Sequence, residues 1–123
     1  GCVAVRNRRI LATGYNGAPS GLPHCTTLGC YREWMQIPSG ERHEVCRAAH
    51  AEQNVICQAA RFGISLEDSG LYIFGGTPCA ICAKMLINVG VRWVVTDTEY
   101  PDQLALSFLS QAGISLEVTD GRT

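Results

Sequence analysis

Two short segments of the sequence hold the residue types best suited to chemistry. One is segment 50–52, His-Ala-Glu, and the other is segment 78–82, Pro-Cys-Ala-Ile-Cys. One histidine and two cysteines supply three ligands, and three protein ligands leave the fourth tetrahedral position of Zn²⁺ open to water. A bare Cys-x-x-Cys pair more often holds structural zinc or exchanges disulfides, but the helix start and the nearby carboxylate favour a catalytic metal. The candidate ligands are His50, Cys79 and Cys82.

A carboxylate stands within the apolar stripe of the first segment. Glu52 lies four residues after Ala48, three before Val55 and seven before Ala59. A lone carboxylate on such a face is costly to bury unless it has a partner or a task, and burial would raise its pKa toward neutrality. A group of that kind can take and return a proton near neutral pH. Glu52 is therefore predicted to act as general acid and base beside a zinc-bound water.

Two predicted helices present these segments. The first covers about Arg47–Phe62 and stops at Gly63, a residue that suits a helix C-terminus. The second takes Thr77 as its N-cap and Pro78 as its first position, and continues over Cys79–Val89. Both thiols are expected to point toward the core. The free N–H groups and positive dipole end of a helix start favour the thiolate, and so favour metal binding.

The remaining elements alternate between strands and helices around a long Gly- and Pro-rich loop over residues 14–44. Alternation of this kind predicts an α/β sandwich with parallel strands in the second half of the chain. The predicted elements are a hairpin of Cys2–Val5 and Ile10–Thr13, strands at Leu71–Phe74, Val91–Val95 and Ile114–Val118, and a helix at about Pro101–Gln111.

Composition bounds the class of protein. A chain of 123 residues has room for a single domain, since a domain takes about 150 residues. With 46% hydrophobic and 17% charged residues the chain is not a disordered segment, and a net charge of −1 argues against a non-specific DNA binder. Seven cysteines cannot all pair, which favours a reducing compartment. The apolar runs are too short to span a bilayer, so we expect a soluble cytoplasmic protein.

The order His-x-Glu followed by Pro-Cys-x-x-Cys is the signature of zinc-dependent nucleobase deaminases. On these motifs the chain resembles the cytidine deaminase superfamily, and its Gly-Tyr-Asn-Gly-x-Pro-x-Gly loop at Gly14–Gly21 resembles the deoxycytidylate (dCMP) deaminase branch more closely. Segments 13–21, 50–54, 71–73 and 77–84 carry the resemblance over nearly the whole chain. It implies a three-layer α/β/α cytidine deaminase-like sandwich with a mixed, mostly parallel five-stranded sheet.

The resemblance also implies an activity, the hydrolysis of dCMP to dUMP and ammonia in pyrimidine nucleotide metabolism, with Zn²⁺ lowering the pKa of a bound water. Glu52 would take the water proton, pass it to the ring N3 and help protonate the departing amino group. By the same analogy the Ala51 N–H would bind the ring O2, Asn16 would bind the sugar or base, and Gly17 would let the loop approach the 5′-phosphate. Asn16 and Gly17 could instead form an ordinary turn. Tyr100 matches a position near the substrate, and could equally be a wall residue.

The long loop holds five further soft ligands that have no evident role in the fold. Some members of the dCMP branch carry a structural zinc in this region, and closing the loop around a metal would offset part of its ordering entropy. The resemblance thus implies a Cys₃His site, with His24 as a substitute ligand, and the alternative is a set of free thiols in the loop. The implied ligands are Cys25, Cys30, His43 and Cys46.

The resemblance has further implications for partners and extent. Family members are often hexamers and some respond to dCTP and dTTP, so a homo-oligomer and these effectors are expected, with no membrane or nucleic acid partner. Residues 1–123 are expected to form one deaminase domain, and a helix that relatives carry is expected to precede Gly1. Two alternatives stay open. One is another zinc deaminase of this fold, acting on cytidine, another nucleoside or base, or a tRNA adenosine; the other is a non-catalytic zinc-stabilised interaction domain.

Two groups of residues have plainer interpretations. Cys2 and Cys57 lie in apolar segments and are predicted to be small core residues. The cluster of Arg6, Arg8 and Arg9 is predicted to lie in a solvated hairpin turn, with contact to a phosphate or an effector nucleotide as the alternative.

Overall fold

The computed structural model describes residues 1–23, 31–38, 49–99 and 102–119. Five strands and four helices follow one another within these ranges. In chain order they are β1 (Cys2–Arg6), β2 (Arg9–Gly14), α1 (Tyr31–Trp34), α2 (Ala51–Phe62), β3 (Gly70–Ile73), α3 (Ala80–Asn88), β4 (Trp93–Thr96), α4 (Gln103–Gln111) and β5 (Ser115–Val118). Within the described ranges, no helix is both long enough and apolar enough to cross a membrane.

The strands form one mixed sheet in the order β2-β1-β3-β4-β5. β1 is antiparallel to both of its neighbours, whereas β3, β4 and β5 pair in parallel. All the strands except β1 therefore run in one direction, which confirms the predicted mixed, mostly parallel sheet. Because the carboxyl ends of β2, β3 and β4 meet at one edge of the sheet, the segments that follow them are brought together there.

The hairpin of β1 and β2 turns through Asn7 and Arg8, whose φ angles of 53° and 63° are those of a type I′ turn. The guanidinium of Arg6 donates to the carbonyl oxygens of Ser65 and Glu67 at 3.0 and 2.9 Å. Arg6 therefore ties the hairpin to the segment that follows α2. This contact gives the residue a structural role within the fold.

The core lies on one face of the sheet. Ala4, Ala12, Leu71 and Val94 are cross-strand neighbours on that face, and each is at most 2% exposed. The longer helices α2, α3 and α4 all contribute to the same cluster. Their buried apolar residues are Ala51, Val55, Ala59, Ala83, Leu86, Ala105 and Leu109.

The opposite face of the sheet is more open. Tyr72 lies there at 51% exposure, and its ring meets that of Trp93 edge to face with 5.1 Å between centroids. Gly70 lies beneath the Trp93 indole, where a Cβ atom would overlap the ring. The three longer helices thus form a layer on one side of the sheet, and none of these three helices lies on the other side.

The helix starts differ from the predicted ones. α2 begins at Ala51 and not near Arg47, because Ala49 pairs its backbone with Gly17 and His50 is extended, with φ −67° and ψ 155°. α3 is capped by Cys79 and not by Thr77, because Cys79 is still extended and its Sγ accepts from the Cys82 N–H at 3.5 Å. In both cases the residue predicted to bind metal is the N-cap itself.

Two apolar side chains of α2 are exposed to solvent. Cys57 is exposed, so its prediction as a core residue is wrong, whereas Cys2 is buried as predicted. Cys57 follows the buried Val55 by two positions, or about 200° around a helix, so it faces away from the sheet. Phe62 is 67% exposed in the last turn, where the Arg61 guanidinium lies 5.8 Å from its ring centroid.

Truncation of a central core residue tests this packing. Leu71 is fully buried on β3, so Leu71→Ala should lower the free energy of unfolding by about 2–5 kcal/mol. Leu104→Ala is the matched control because Leu104 is 56% exposed on α4, and it should change stability by less than about 0.5 kcal/mol. Urea unfolding followed by circular dichroism measures both, and equal losses would contradict the assigned core.

Candidate metal centre

Two helix starts build the candidate metal centre. The chain leaves β2 and reaches α2 through His50, and it leaves β3 and reaches α3 through Cys79. Each of these residues is an extended N-cap, a position whose side chain turns back toward the first helical N–H groups. Because β2 and β3 run in the same direction, the two caps meet at one edge of the sheet.

The three predicted ligands lie at zinc-binding distances. His50 Nδ1 is 3.3 Å from Cys82 Sγ and 3.6 Å from Cys79 Sγ, and all three ligand atoms lie within 4.8 Å of one another. Tetrahedral Zn²⁺, about 2.0–2.1 Å from nitrogen and 2.3 Å from sulfur, separates these atoms by about 3.6 Å. The described part of the chain holds no other such group of three candidate ligands. The donor set therefore fits Zn²⁺, with a fourth position that no residue in the described ranges fills.

Hydrogen bonds at the site make the two thiols unlike each other. A hydrogen bond from Cys82 and a second from His50 lower the pKa of Cys79 to about 4, against the effect of burial. The same hydrogen bond to Cys79, together with burial, raises the pKa of Cys82. The hydrogen bond to Cys79 also raises the pKa of His50. These hydrogen bonds thus favour the thiolate at Cys79 and the protonated thiol at Cys82, and a metal ligand must give up its proton when it binds the metal.

Glu52 is buried beside these ligands, as predicted. It occupies the first turn of α2 at 8% exposure, and burial raises its pKa above the ordinary carboxyl value, while a hydrogen bond with Cys82 acts the other way. Cys2 lies close enough for the Glu52 charge to raise its pKa, after burial as the main cause, to about 12. Burial and the nearby Glu52 charge thus both favour the uncharged thiol at Cys2.

The loop after β2 is fastened onto the start of α2. Gly17 and Ala49 exchange two backbone hydrogen bonds of 3.2 and 2.9 Å. The Asn16 side-chain oxygen accepts from the Ala51 N–H at 2.6 Å, and the Asn54 amide donates to the Tyr15 carbonyl at 2.7 Å. The structure thus brings together Asn16, Gly17 and Ala51, three residues predicted to contact substrate. That two of them bind each other was not predicted.

Two aspartates at the same edge were also missed by the sequence analysis. Asp97 follows β4, and its Oδ1 accepts from the Gly75 N–H at 2.8 Å, which holds the pKa of Asp97 below its usual value. Asp102 is the N-cap of α4 and also reaches the start of α3. An Asp two residues before an apolar helical run is a recognisable N-cap signal, but nothing local reveals its second contact.

Several predicted site residues lie outside the described residues, so their placement is untested. These are the possible ligands of a second zinc, its substitute ligand and the predicted wall residue of the substrate pocket. They are Cys25, Cys30, His43, Cys46, His24 and Tyr100.

Comparison with known proteins agrees with the geometry of the site. The family model described as "Cytidine and deoxycytidylate deaminase zinc-binding region" matches residues 1–98. The chain belongs to this family. Zn²⁺ is therefore the metal that the histidine and cysteine group suits.

Relatives within the deaminase family are similar over most of the chain. It is 34% identical over 117 residues to the deoxycytidylate deaminase of Schizosaccharomyces pombe, covering 94% of this chain and 36% of that protein. It is 32% identical to the ComE operon protein 2 of Bacillus subtilis, covering 95% of this chain and 58% of the other. The chain thus spans between about a third and three fifths of the length of these two relatives.

A solved structure shares the fold. The crystal structure of dCMP deaminase from the cyanophage S-TIM5, in complex with dCMP and dUMP, superposes with a TM-score of 0.73 at 30% identity. The match covers 96% of this chain and 79% of that one. The α/β fold of the deaminase family is therefore confirmed for this chain.

Replacement of one thiol tests the metal centre. Cys82→Ser should lower the zinc content of the purified protein by one equivalent per chain, because the buried Cys82 thiol is one of the three candidate ligands that the described residues bring together. Cys57→Ser is the matched control, because Cys57 is exposed on the outer side of α2 and should keep its zinc. Elemental analysis measures both variants. Equal zinc contents in Cys82→Ser and the wild type would contradict the site.

Proposed function

We propose that this chain is the catalytic domain of an enzyme that hydrolyses dCMP to dUMP and ammonia. The observation that carries the proposal is the group of His50, Cys79 and Cys82 with the buried Glu52 beside it. A structural zinc site prefers four protein ligands and has no use for a buried carboxyl group. The deoxycytidylate deaminases among the relatives, and the dCMP and dUMP held by the cyanophage enzyme, support dCMP as the substrate.

Glu52 is proposed as the group that moves protons. His50, Cys79 and Cys82 would hold Zn²⁺, which when bound would supply a hydroxide nucleophile near neutral pH for addition to C4 of the pyrimidine. Glu52 accepts the proton that water gives up, delivers it to N3 of the ring and later helps protonate the departing amino group. Its burial suits both directions of transfer, because a carboxyl group with a raised pKa returns a proton as readily as it takes one. One water and one dCMP thereby yield dUMP and ammonia.

The start of α2 is proposed to hold the pyrimidine. The Ala51 N–H donates to the Asn16 side chain at 2.6 Å in this structure. We propose that the ring O2 takes over this N–H when substrate binds, which releases the Asn16 side chain for the sugar or base. Gly17, fixed to Ala49 by two backbone bonds, keeps the loop close to the helix start so that it approaches the 5′-phosphate. Tyr100 is proposed to line the same pocket.

Further properties are proposed from the family resemblance. Residues 1–123 form one domain, the enzyme is a homo-oligomer, and dCTP and dTTP are its effectors. A cytoplasmic location is supported by the cysteines of the described segments, Cys2, Cys57, Cys79 and Cys82, which are all free. A second, structural zinc is proposed at Cys25, Cys30, His43 and Cys46, with His24 as the substitute ligand.

Neutralising the general base tests the mechanism. In Glu52→Gln the side chain keeps its size but can no longer accept and return the transferred proton. The kcat for dCMP should therefore fall by about 100- to 10,000-fold. The zinc content and thermal midpoint should stay near the wild-type values, because Glu52 is not a predicted ligand. Glu67→Gln, at an exposed carboxylate, is the control and should retain full activity. An ammonia-release assay measures turnover.

The same assay tests the choice of substrate. Run with dCMP, deoxycytidine, cytidine, CMP and tRNA, it should show the highest kcat/KM for dCMP. Preference for cytidine or for tRNA adenosine would replace the proposed substrate, and retained activity in Glu52→Gln would overturn the proposed role of the carboxylate.

The metal content of fully loaded protein tests the second zinc. Two equivalents of zinc per chain are expected, one at each site. Cys46→Ser should lose the structural zinc and keep the zinc at His50, Cys79 and Cys82, whereas Cys82→Ser should do the reverse. A single equivalent in the loaded wild type would remove the structural site from the account.

A further inference from the structure

One carboxylate joins the starts of two helices at the metal-binding edge. Asp102 Oδ1 accepts from the Ala105 N–H of its own helix α4 at 3.0 Å. Its Oδ2 accepts from the Ala80 N–H, the first residue of α3, also at 3.0 Å and across 22 residues of sequence. The half-buried Asp102 therefore caps both helices at once.

The second bond falls between the two predicted thiol ligands. Ala80 follows Cys79 and precedes Cys82 by two positions, so the bond fixes the backbone that sets the separation of the thiols. Two N–H groups further along the helix start are satisfied within the segment, since that of Cys82 donates to Cys79 Sγ and that of Ala83 to the Cys79 carbonyl. The partner of the Ala80 N–H comes from another helix.

The surroundings make this contact more than an ordinary cap. α3 and α4 pack against each other, with Leu86 and Leu109 both buried in the core, and the two bonds to Asp102 show that their positive N-terminal ends lie near each other. A single shared negative charge stabilises both ends and holds them together. The core thus fixes α3 along its length, and Asp102 fixes it where the ligands are.

We propose that Asp102 is a positioning residue that holds the turn Cys79–Cys82 in its metal-binding geometry by tying Ala80 to α4. The inference rests on the proposed use of Cys79 and Cys82 as zinc ligands. It predicts that zinc leaves the site faster when the bond to Ala80 is lost, even if the cap of α4 is kept.

Two substitutions separate the two bonds of Asp102. Serine and asparagine are both good N-caps, so Asp102→Ser and Asp102→Asn should keep the bond to Ala105. Serine has a single oxygen, and the asparagine NH₂ is a donor that cannot accept from Ala80. Asp102→Ala, which loses both bonds, shows the added cost of an uncapped α4.

A fourth variant removes the same bond from the other side. Ala80 is the first residue of α3, where proline is well tolerated, and the preceding Cys79 has the extended conformation that proline requires, with φ −72° and ψ 172°. Ala80→Pro deletes the N–H and leaves Asp102 in place. It should reproduce the effect of Asp102→Ser on zinc release.

The test measures the rate at which zinc passes from the protein to an excess of a chromogenic chelator. The phase of zinc release that belongs to this site is the one that is missing in Cys82→Ser. Asp102→Ser, Asp102→Asn and Ala80→Pro should release zinc about 10- to 100-fold faster than the wild type. The thermal midpoints of the metal-free Asp102→Ser and Asp102→Asn proteins should stay close to that of the wild type. Since no substrate is involved, failure of the proposed activity would leave this readout intact.

Wild-type release rates in Asp102→Ser and Ala80→Pro would overturn the proposal. The proposal would also be overturned if zinc release became faster only in variants whose metal-free form loses thermal stability to a matching extent. That result would make Asp102 an ordinary cap of α4.

Discussion

The meeting of three helix starts at one edge of the sheet is the constraint on which the site depends. β2, β3 and β4 run in the same direction, so α2, α3 and α4 all begin at their common carboxyl edge. The N-caps of these helices are His50, Cys79 and Asp102. An N-cap turns its side chain toward the helix start, so the same geometry that begins each helix also gathers the polar side chains.

The environment at this edge drives neighbouring groups toward opposite charge states. Hydrogen bonds lower the pKa of Cys79 to about 4, whereas burial raises the pKa of Glu52. A thiolate suits a metal ligand, and a carboxyl group whose pKa is raised is a stronger base than an ordinary carboxylate, which suits acid and base chemistry. Such a divergence between adjacent titratable groups is what separates their roles in catalysis.

Features of the site that depend on the spacing of nearby residues along the chain could be predicted from the sequence. The alternation of helices and strands, the buried position of Glu52 and the three soft ligands all follow from spacing along the chain. Contacts between distant side chains could not be predicted in this way. Asp102 reaches Ala80 across 22 residues, and Asn16 reaches Ala51 across 35. The exposed Cys57 was missed for a related reason, since a local run of apolar residues does not reveal which side of α2 faces the sheet.

The central claim is that zinc binds where the three helix starts meet, with three protein ligands and one open position. Anomalous diffraction at the zinc edge from crystals of the zinc-loaded protein tests it most directly. We expect a peak about 2.0–2.3 Å from His50 Nδ1, Cys79 Sγ and Cys82 Sγ, with no fourth protein atom at bonding distance. A peak with four protein ligands, or no peak at these three atoms, would contradict it.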